Sequence, residues 1–162
     1  MFSIISTRYT SETLNEKRNF MSRHNLEGCL YGAPQPPSPK IPLDSLMFVI
    51  EMNNSKNKIE GIGLIRNKAA TDKYYKIYND ANFNRYIYRS PYYIERETLE
   101  RYNAEIVKIF DYILFKEKTH LKRGCGFTTV PEKLLHHKIC NGLDLKRYLQ
   151  NIFLEHFPKV IT

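Results

Sequence analysis

Two apolar runs separated by a polar bridge organise the chain. Residues 46–50 and 59–65 flank a stretch of Asn, Ser and Lys. The first run is too short for an independent helix, and Val49 and Ile50 are β-branched. Asn53 and Asn54 in the bridge tolerate the left-handed backbone of a tight reversal. The pattern predicts a β-hairpin at the centre of a sheet. On the return strand Gly61 and Gly63 are two apart and share one face, so another element or a ligand can approach the backbone there.

The patterns on either side supply the rest of the frame. Residues 2–7 alternate and are β-branched, an opening strand. Residues 10–24 form a short helix, with Thr10, Ser11 and Thr13 as capping residues, Thr13-x-x-Glu16 in capping-box spacing, and Leu14, Phe20 and Met21 as its apolar side. Residues 26–31 make a second short strand. Residues 32–42 hold five of the eight prolines, which leaves a stiff, proline-rich surface loop rather than a helix or central strand. Residues 68–73 read as loop, and residues 85–89 and 92–96 as two strands broken at Ser90-Pro91. A helix opening at Thr98 or Asn103 runs to about residue 116, on a buried stripe of Ile106, Val107, Phe110, Ile113 and Leu114. Gly124 and Gly126 mark a loop leading into a strand. Thr129-x-x-Glu132, with Pro131 in the first turn, caps a short helix to about residue 139. Leu145, Tyr148, Leu149, Ile152 and Phe153 form a C-terminal helix at about 143–157. Strands dominate and helices are interspersed, which predicts an α+β fold: a small curved antiparallel or mixed sheet or barrel packed by three to four helices.

At 162 residues the chain is expected to form one domain, 1–162, with a core that needs no staples. No stretch reaches the apolar length of a membrane span, and the first residues lack a basic region followed by a long apolar one. Neither secretion nor membrane insertion is expected. Cys29, Cys125 and Cys140 are an odd number with no Cys-x-x-Cys pair, and read as free thiols in a reducing, intracellular, cytoplasmic setting. The net charge of +8 favours a polyanionic partner, RNA or DNA ahead of a membrane surface. Residues 116–147 carry eight Lys and Arg against three acids, so the excess is concentrated there.

The opening strand and helix, followed by Ile41-Pro-Leu-Asp-Ser-Leu-Met-Phe-Val-Ile50 and the return through Ile59-Glu-Gly-Ile-Gly-Leu-Ile65, resemble the PUA-like superfamily, which includes ASCH, EVE and YTH domains. The resemblance covers the first 65 residues in pattern and implies a pseudo-barrel that binds RNA or a modified base flipped into a pocket. YTH and EVE pockets lean on tryptophan, which this chain lacks, so any stacking here would fall to Tyr or Phe. The style of the sequence is also similar to that of small proteins of large cytoplasmic DNA viruses, which would place it in a host cytoplasm.

Two stretches carry candidate binding chemistry. Between residues 74 and 102 lie eight of the twelve tyrosines, interleaved with Arg85 and Arg89 among other cations. Alternation puts Tyr86 and Tyr88 on one face of a strand and Arg85, Ile87 and Arg89 on the other. Such rings, with Tyr92, stack bases for about 1–3 kcal/mol each while cations neutralise phosphates. The second stretch runs from His120 through Lys122, Arg123, Gly124, Cys125 and Gly126 to Thr128 and Thr129. Its glycines free backbone amides to face an anion, Lys122 and Arg123 supply charge, and the threonines supply hydroxyls. It does not match the nucleotide-hydrolysing P-loop pattern.

Catalysis and metal binding are weaker readings. His120, Cys125, His136, His137 and Cys140 include a His-x-x-x-Cys pair but lack the short first pair of structural zinc sites, so free thiols and surface histidines are expected. ASCH proteins described as small hydrolases would place Lys17, Thr13 and Glu16 in reacting roles; by pattern these three are polar residues on a solvated helix face. The reading is therefore a binding protein for RNA or single-stranded nucleic acid, with no catalytic residue, metal or cofactor assigned. Its sites are Lys122, Arg123, Gly124, Gly126, Thr128, Tyr86, Tyr88, Tyr92, Arg85 and Arg89. A protein–protein module using the proline loop and tyrosine-rich surface is the alternative, and a small hydrolase comes third.

Overall fold

A computed structural model describes residues 2–116 and 121–159. The chain runs β1 (Phe2–Tyr9), α1 (Ser11–Arg23), β2 (Cys29–Ala33), β3 (Leu46–Asn53), β4 (Lys58–Arg66), β5 (Tyr86–Ser90), β6 (Tyr93–Glu95), α2 (Arg96–Phe115), β7 (Thr128–Thr129), α3 (Glu132–Leu135) and α4 (Leu145–His156). Five strands form one mixed sheet in the order β6-β4-β3-β1-β7, while β2 and β5 pair separately. The β1–β3 pair is parallel and the other neighbours are antiparallel. The fold is thus α+β, and no closed barrel forms among the described residues. Among them, too, no helix is long and apolar enough to cross a membrane.

The predicted hairpin is the sheet's centre, and its strands read as continuous apolar runs because both faces are covered. One face carries Ile4, Phe48, Ile50, Ile62 and Leu64 against the buried stripes of α2 and α4. The other carries Ile5, Met47, Val49 and Ile65 against α1, β2 and β5. Glu51 continues the second series with period two, so its side chain enters that core rather than solvent.

Several local expectations change in detail. Helix α1 is capped by Thr10, one of the expected capping residues, but the box closes with Thr13 rather than between Thr13 and Glu16. The hairpin residue with positive φ is Asn57 (53°), not Asn53 or Asn54; the Asn53 side chain instead accepts the Ser55 and Lys56 amides, each at 3.0 Å. Of the two proposed starts of the long helix, Asn103 is used and Thr98 is not: α2 begins at Arg96, with Glu95 as its N-cap, and is interrupted at Asn103 (φ −162°, ψ 95°). The Asn103 carboxamide oxygen then accepts from Glu105 and Ile106 N–H at 3.1 and 3.3 Å, capping the second segment. Helix α3 takes Pro131 as its N-cap with no side-chain hydrogen bond, so the Thr129–Glu132 box does not form. It ends at Leu135, and Lys138–Cys140 is a separate 3-10 turn.

Candidate functional site

The second face of the sheet holds a buried polar cluster. The Lys17 ammonium meets the Glu51 carboxylate at 3.0 Å, with both side chains at most 5% exposed. Tyr31 donates to the same carboxylate at 2.8 Å and Tyr93 at 3.2 Å. The Lys17 ammonium also lies 4.5 Å from the centre of the Tyr9 ring, a cation–π contact. This arrangement depends on the glycine pair of β4. Gly61 stands opposite Glu51 in the ladder, and a Cβ there would collide with the Tyr93 hydroxyl. A Cβ at Gly63 would collide with the Tyr31 hydroxyl. The side-chain-free face is therefore filled by two tyrosines reaching for one carboxylate.

That cluster corrects the sequence reading of α1. Lys17 is not on the solvated face: with Leu14 and Phe20 it forms the buried side. The phenols around it are held in the neutral form. Burial, then the charge of Glu51, pushes the Tyr31 and Tyr93 pKa values well up. Tyr9 moves the same way for the same two causes, and Tyr78 is raised chiefly by burial, then by its coupling to the neighbouring Tyr9 phenol. Cys29, buried beside them, is pushed up to about 12 by burial and then by Glu51.

Tyr9 and Tyr78 also form part of the wall of a cleft of about 320 Å³ at the end of β1. Phe83 and Gly32 stand beside these rings, and Thr7, Thr10 and Thr13 border them. Glu16 and Asp80 contribute carboxylates to the lining, whereas Arg8 and Lys122 contribute cations. Gly124, Cys125 and Gly126 belong to the same lining, so the predicted glycine loop lies at the cleft. Its size is at the lower end of the range of small-ligand sites.

Arg8, which sequence reasoning passed over, holds that loop. Its guanidinium donates to the Leu121 carbonyl at 2.9 Å, to the Gly126 carbonyl, and to the Thr128 hydroxyl at 3.0 Å. Burial lowers its pKa, and the charge of Cys125 acts in the opposite direction. The Asn54 carboxamide adds a donor to the Lys122 carbonyl at 2.8 Å, and the Lys122 ammonium reaches Asn57 at 2.5 Å. Arg8 Nε and Asn54 Oδ1 are buried without a partner among the described residues. Thr128 is thus an anchor within the loop, and the Gly124 amide is directed at the Leu121 carbonyl at 3.4 Å. Lys122, Arg123, Gly124 and Cys125 are exposed, whereas Gly126 is buried. His120 lies outside the described residues.

The tyrosine-rich strands are placed elsewhere. Tyr88 is 2% exposed and sits edge-on to Phe127, at 5.3 Å between centroids, so its ring is core and not a stacking platform. Tyr86 is half-buried, and with Tyr88 it lines a groove beneath the proline-rich segment. Tyr92 packs edge-on against Phe157 at 5.4 Å. Arg85 covers the Tyr86 ring at 5.9 Å, and Arg89 donates to the Tyr75 hydroxyl at 3.2 Å. The aromatics that share the cleft lining with the basic loop are the buried Tyr9 and Tyr78 and the half-buried Phe83. Tyr78 and Phe83 belong to the tyrosine-rich stretch, whereas the signal of Tyr9 was position, since it ends the opening strand where α1 begins.

Among the described residues the thiols and histidines do not converge. Cys29 and Cys140 are buried and Cys125 is exposed. His136 pairs with Glu132 at 3.2 Å, while Cys140 directs its thiol to the Leu134 carbonyl at 3.7 Å. Among the described residues no three His, Cys, Asp or Glu side chains are grouped as metal ligands. Compared with protein-family models, with curated proteins and with solved structures, the chain matches none.

Proposed function

We propose that this chain binds RNA or another single-stranded nucleic acid at the cleft where β1 ends, with the backbone on the basic loop and one base turned into the cleft. The observation that carries this reading is the meeting of three features in one cleft: aromatic walls, the cations Arg8 and Lys122, and the turn containing Gly124 and Gly126. Cations neutralise phosphates, while apolar rings replace the stacking a base loses on leaving its strand. The buried Lys17–Glu51 pair supports this design by fixing Tyr31 and Tyr93 and by sitting against the Tyr9 ring, so one wall is organised before a ligand arrives. The net charge of +8 adds long-range attraction for a polyanion. The reading retains the PUA-like resemblance and moves its binding residues. Lys122, Arg123 and Gly124 remain on the nucleic-acid side; the half-buried Phe83 takes the place of Tyr86, Tyr88 and Tyr92 as the ring a base can reach, with the buried Tyr9 and Tyr78 completing the lining.

Fluorescence anisotropy with short labelled RNA and DNA single strands across a salt series tests it. Binding should weaken linearly in log salt, with a slope of about −0.7 per phosphate contacted. The Lys122→Ala/Arg123→Ala variant should bind more weakly and with a shallower slope, by roughly one contact per cation removed. A native protein that binds neither strand at low salt overturns the proposal.

A further inference from the structure

We infer that the base taken into this cleft is guanine, an assignment that rests on the nucleic-acid reading above and names its ligand. The cleft combines two kinds of charge in its lining. Arg8 and Lys122 supply cations, and Glu16 and Asp80 supply carboxylates. A nucleotide is polar in a matching way, anionic at its phosphate and, for some bases only, rich in N–H donors at the base edge. Carboxylates repel the phosphate and attract those donors, so the mixed lining orients as well as holds the ligand.

The carboxylate chemistry selects among bases. An ionised carboxylate only accepts hydrogen bonds. The pairing edge of guanine presents a ring N–H beside an amino group, two adjacent donors that match one carboxylate in a bidentate contact. Adenine and cytosine each present an amino group beside an unprotonated ring nitrogen, and uracil presents one N–H between two carbonyls. Each of these sets a lone pair against the carboxylate, an unpaired and repulsive contact.

Glu16 is held for this task. Its Oε2 accepts the Asn79 backbone N–H at 2.7 Å, which fixes the side chain while leaving further lone pairs on both oxygens. Asp80 is anchored through Oδ1, which accepts the Asn82 N–H at 3.0 Å, and acts as a second carboxylate in the lining. Phe83 is half-buried beside Tyr78, with ring centroids 6.3 Å apart and planes at 76°, an apolar wall for a purine ring.

The test uses the native protein and short labelled oligouridines carrying one central guanosine, adenosine, cytidine or inosine. The guanosine strand should bind about ten-fold or more tightly than the adenosine and cytidine strands, the discrimination of one good bidentate contact. Inosine keeps the ring N–H and lacks the amino group, so much of that advantage should be lost with it. In Glu16→Gln the guanosine-to-adenosine ratio should fall toward one. Equal, salt-dependent binding of all four strands overturns the guanine assignment and leaves nucleic-acid binding in place. Inosine binding as tightly as guanosine also overturns it. Binding of none of them overturns both readings. The inosine comparison needs no variant, so it decides the matter even if Glu16→Gln does not fold.

Discussion

The Lys17 ammonium lies 3.0 Å from the Glu51 carboxylate beneath α1, with both side chains nearly excluded from water. Two ions in such a place are costly to desolvate, and the mutual attraction offsets this only when the remaining lone pairs are also satisfied. Tyr31 and Tyr93 provide that satisfaction at Glu51. Removing one partner strands a buried charge. Lys17→Met should therefore lower stability by about 3–5 kcal/mol in urea denaturation. The double variant Lys17→Met/Glu51→Leu should recover a substantial part of that loss. A single variant within about 1 kcal/mol of the native protein would show that the pair is not structural.

Gly61 and Tyr93 are coupled through the same carboxylate. A Cβ at position 61 occupies the place of the Tyr93 hydroxyl, which donates to Glu51. Gly61→Ala should cost about 1–3 kcal/mol by overpacking, and Tyr93→Phe about 1–2 by loss of the donor. Because both break one contact, the double variant should cost clearly less than the sum. Additive losses in a double-mutant cycle would disprove the coupling.

Alkaline pH should unfold this protein through the same cluster. The Cys29 thiol, ordinarily near 9.0, is raised to about 12 by burial and Glu51, and the buried phenols are raised above their usual 10.0. The folded state therefore holds protons that the unfolded chain releases, and stability is full below pH 9 and falls as pH rises from 9 toward 12. Urea midpoints measured across that window should decline, and Cys29→Ala should make the decline shallower. A flat profile to pH 11 would contradict the burial of these groups.

Arg8 is expected to govern the order of the glycine loop. Its guanidinium meets the carbonyls of Leu121 and Gly126 and the Thr128 hydroxyl. Arg8→Leu should leave the sheet folded while amides across residues 121–128 exchange with deuterium roughly ten-fold faster, since charge-assisted bonds of this kind are lost together. Protection unchanged in that segment would assign the loop's order to other contacts.

The periodic features were legible because period reports burial directly. The hairpin of β3 and β4, the stripe on α2 and the C-terminal helix follow from local apolar spacing that any packing partner would satisfy. The break in α2 was legible because Asn103 is a good cap, whereas Thr98 lies within the first segment, whose N-cap is Glu95. At α1 the cap Thr10 was legible, but two box spacings, Thr10–Thr13 and Thr13–Glu16, compete for one short stretch, and the first one forms. The glycine loop was legible as a basic turn. Its partner Arg8 was not, because the two are more than a hundred residues apart and one cation in a strand carries no local signal.

What the sequence by itself determined is the inventory: an α+β chain built on one apolar hairpin, a basic glycine turn, an excess of positive charge and a strand face stripped by Gly61 and Gly63. What only the tertiary structure decided is which polar groups share a space. Lys17 reads as solvent-facing until α1 is laid on the sheet, and Glu51 reads as the polar end of a strand until Tyr31 and Tyr93 close over it. Density of tyrosines pointed to Tyr86, Tyr88 and Tyr92, whereas packing buried Tyr88 and put Phe83, from the same stretch, with Tyr9 and Tyr78 in the cleft lining shared with the basic loop. The reason is physical: period along the chain encodes which residues leave water, but the partner each one meets is set by long-range contacts that no local pattern records.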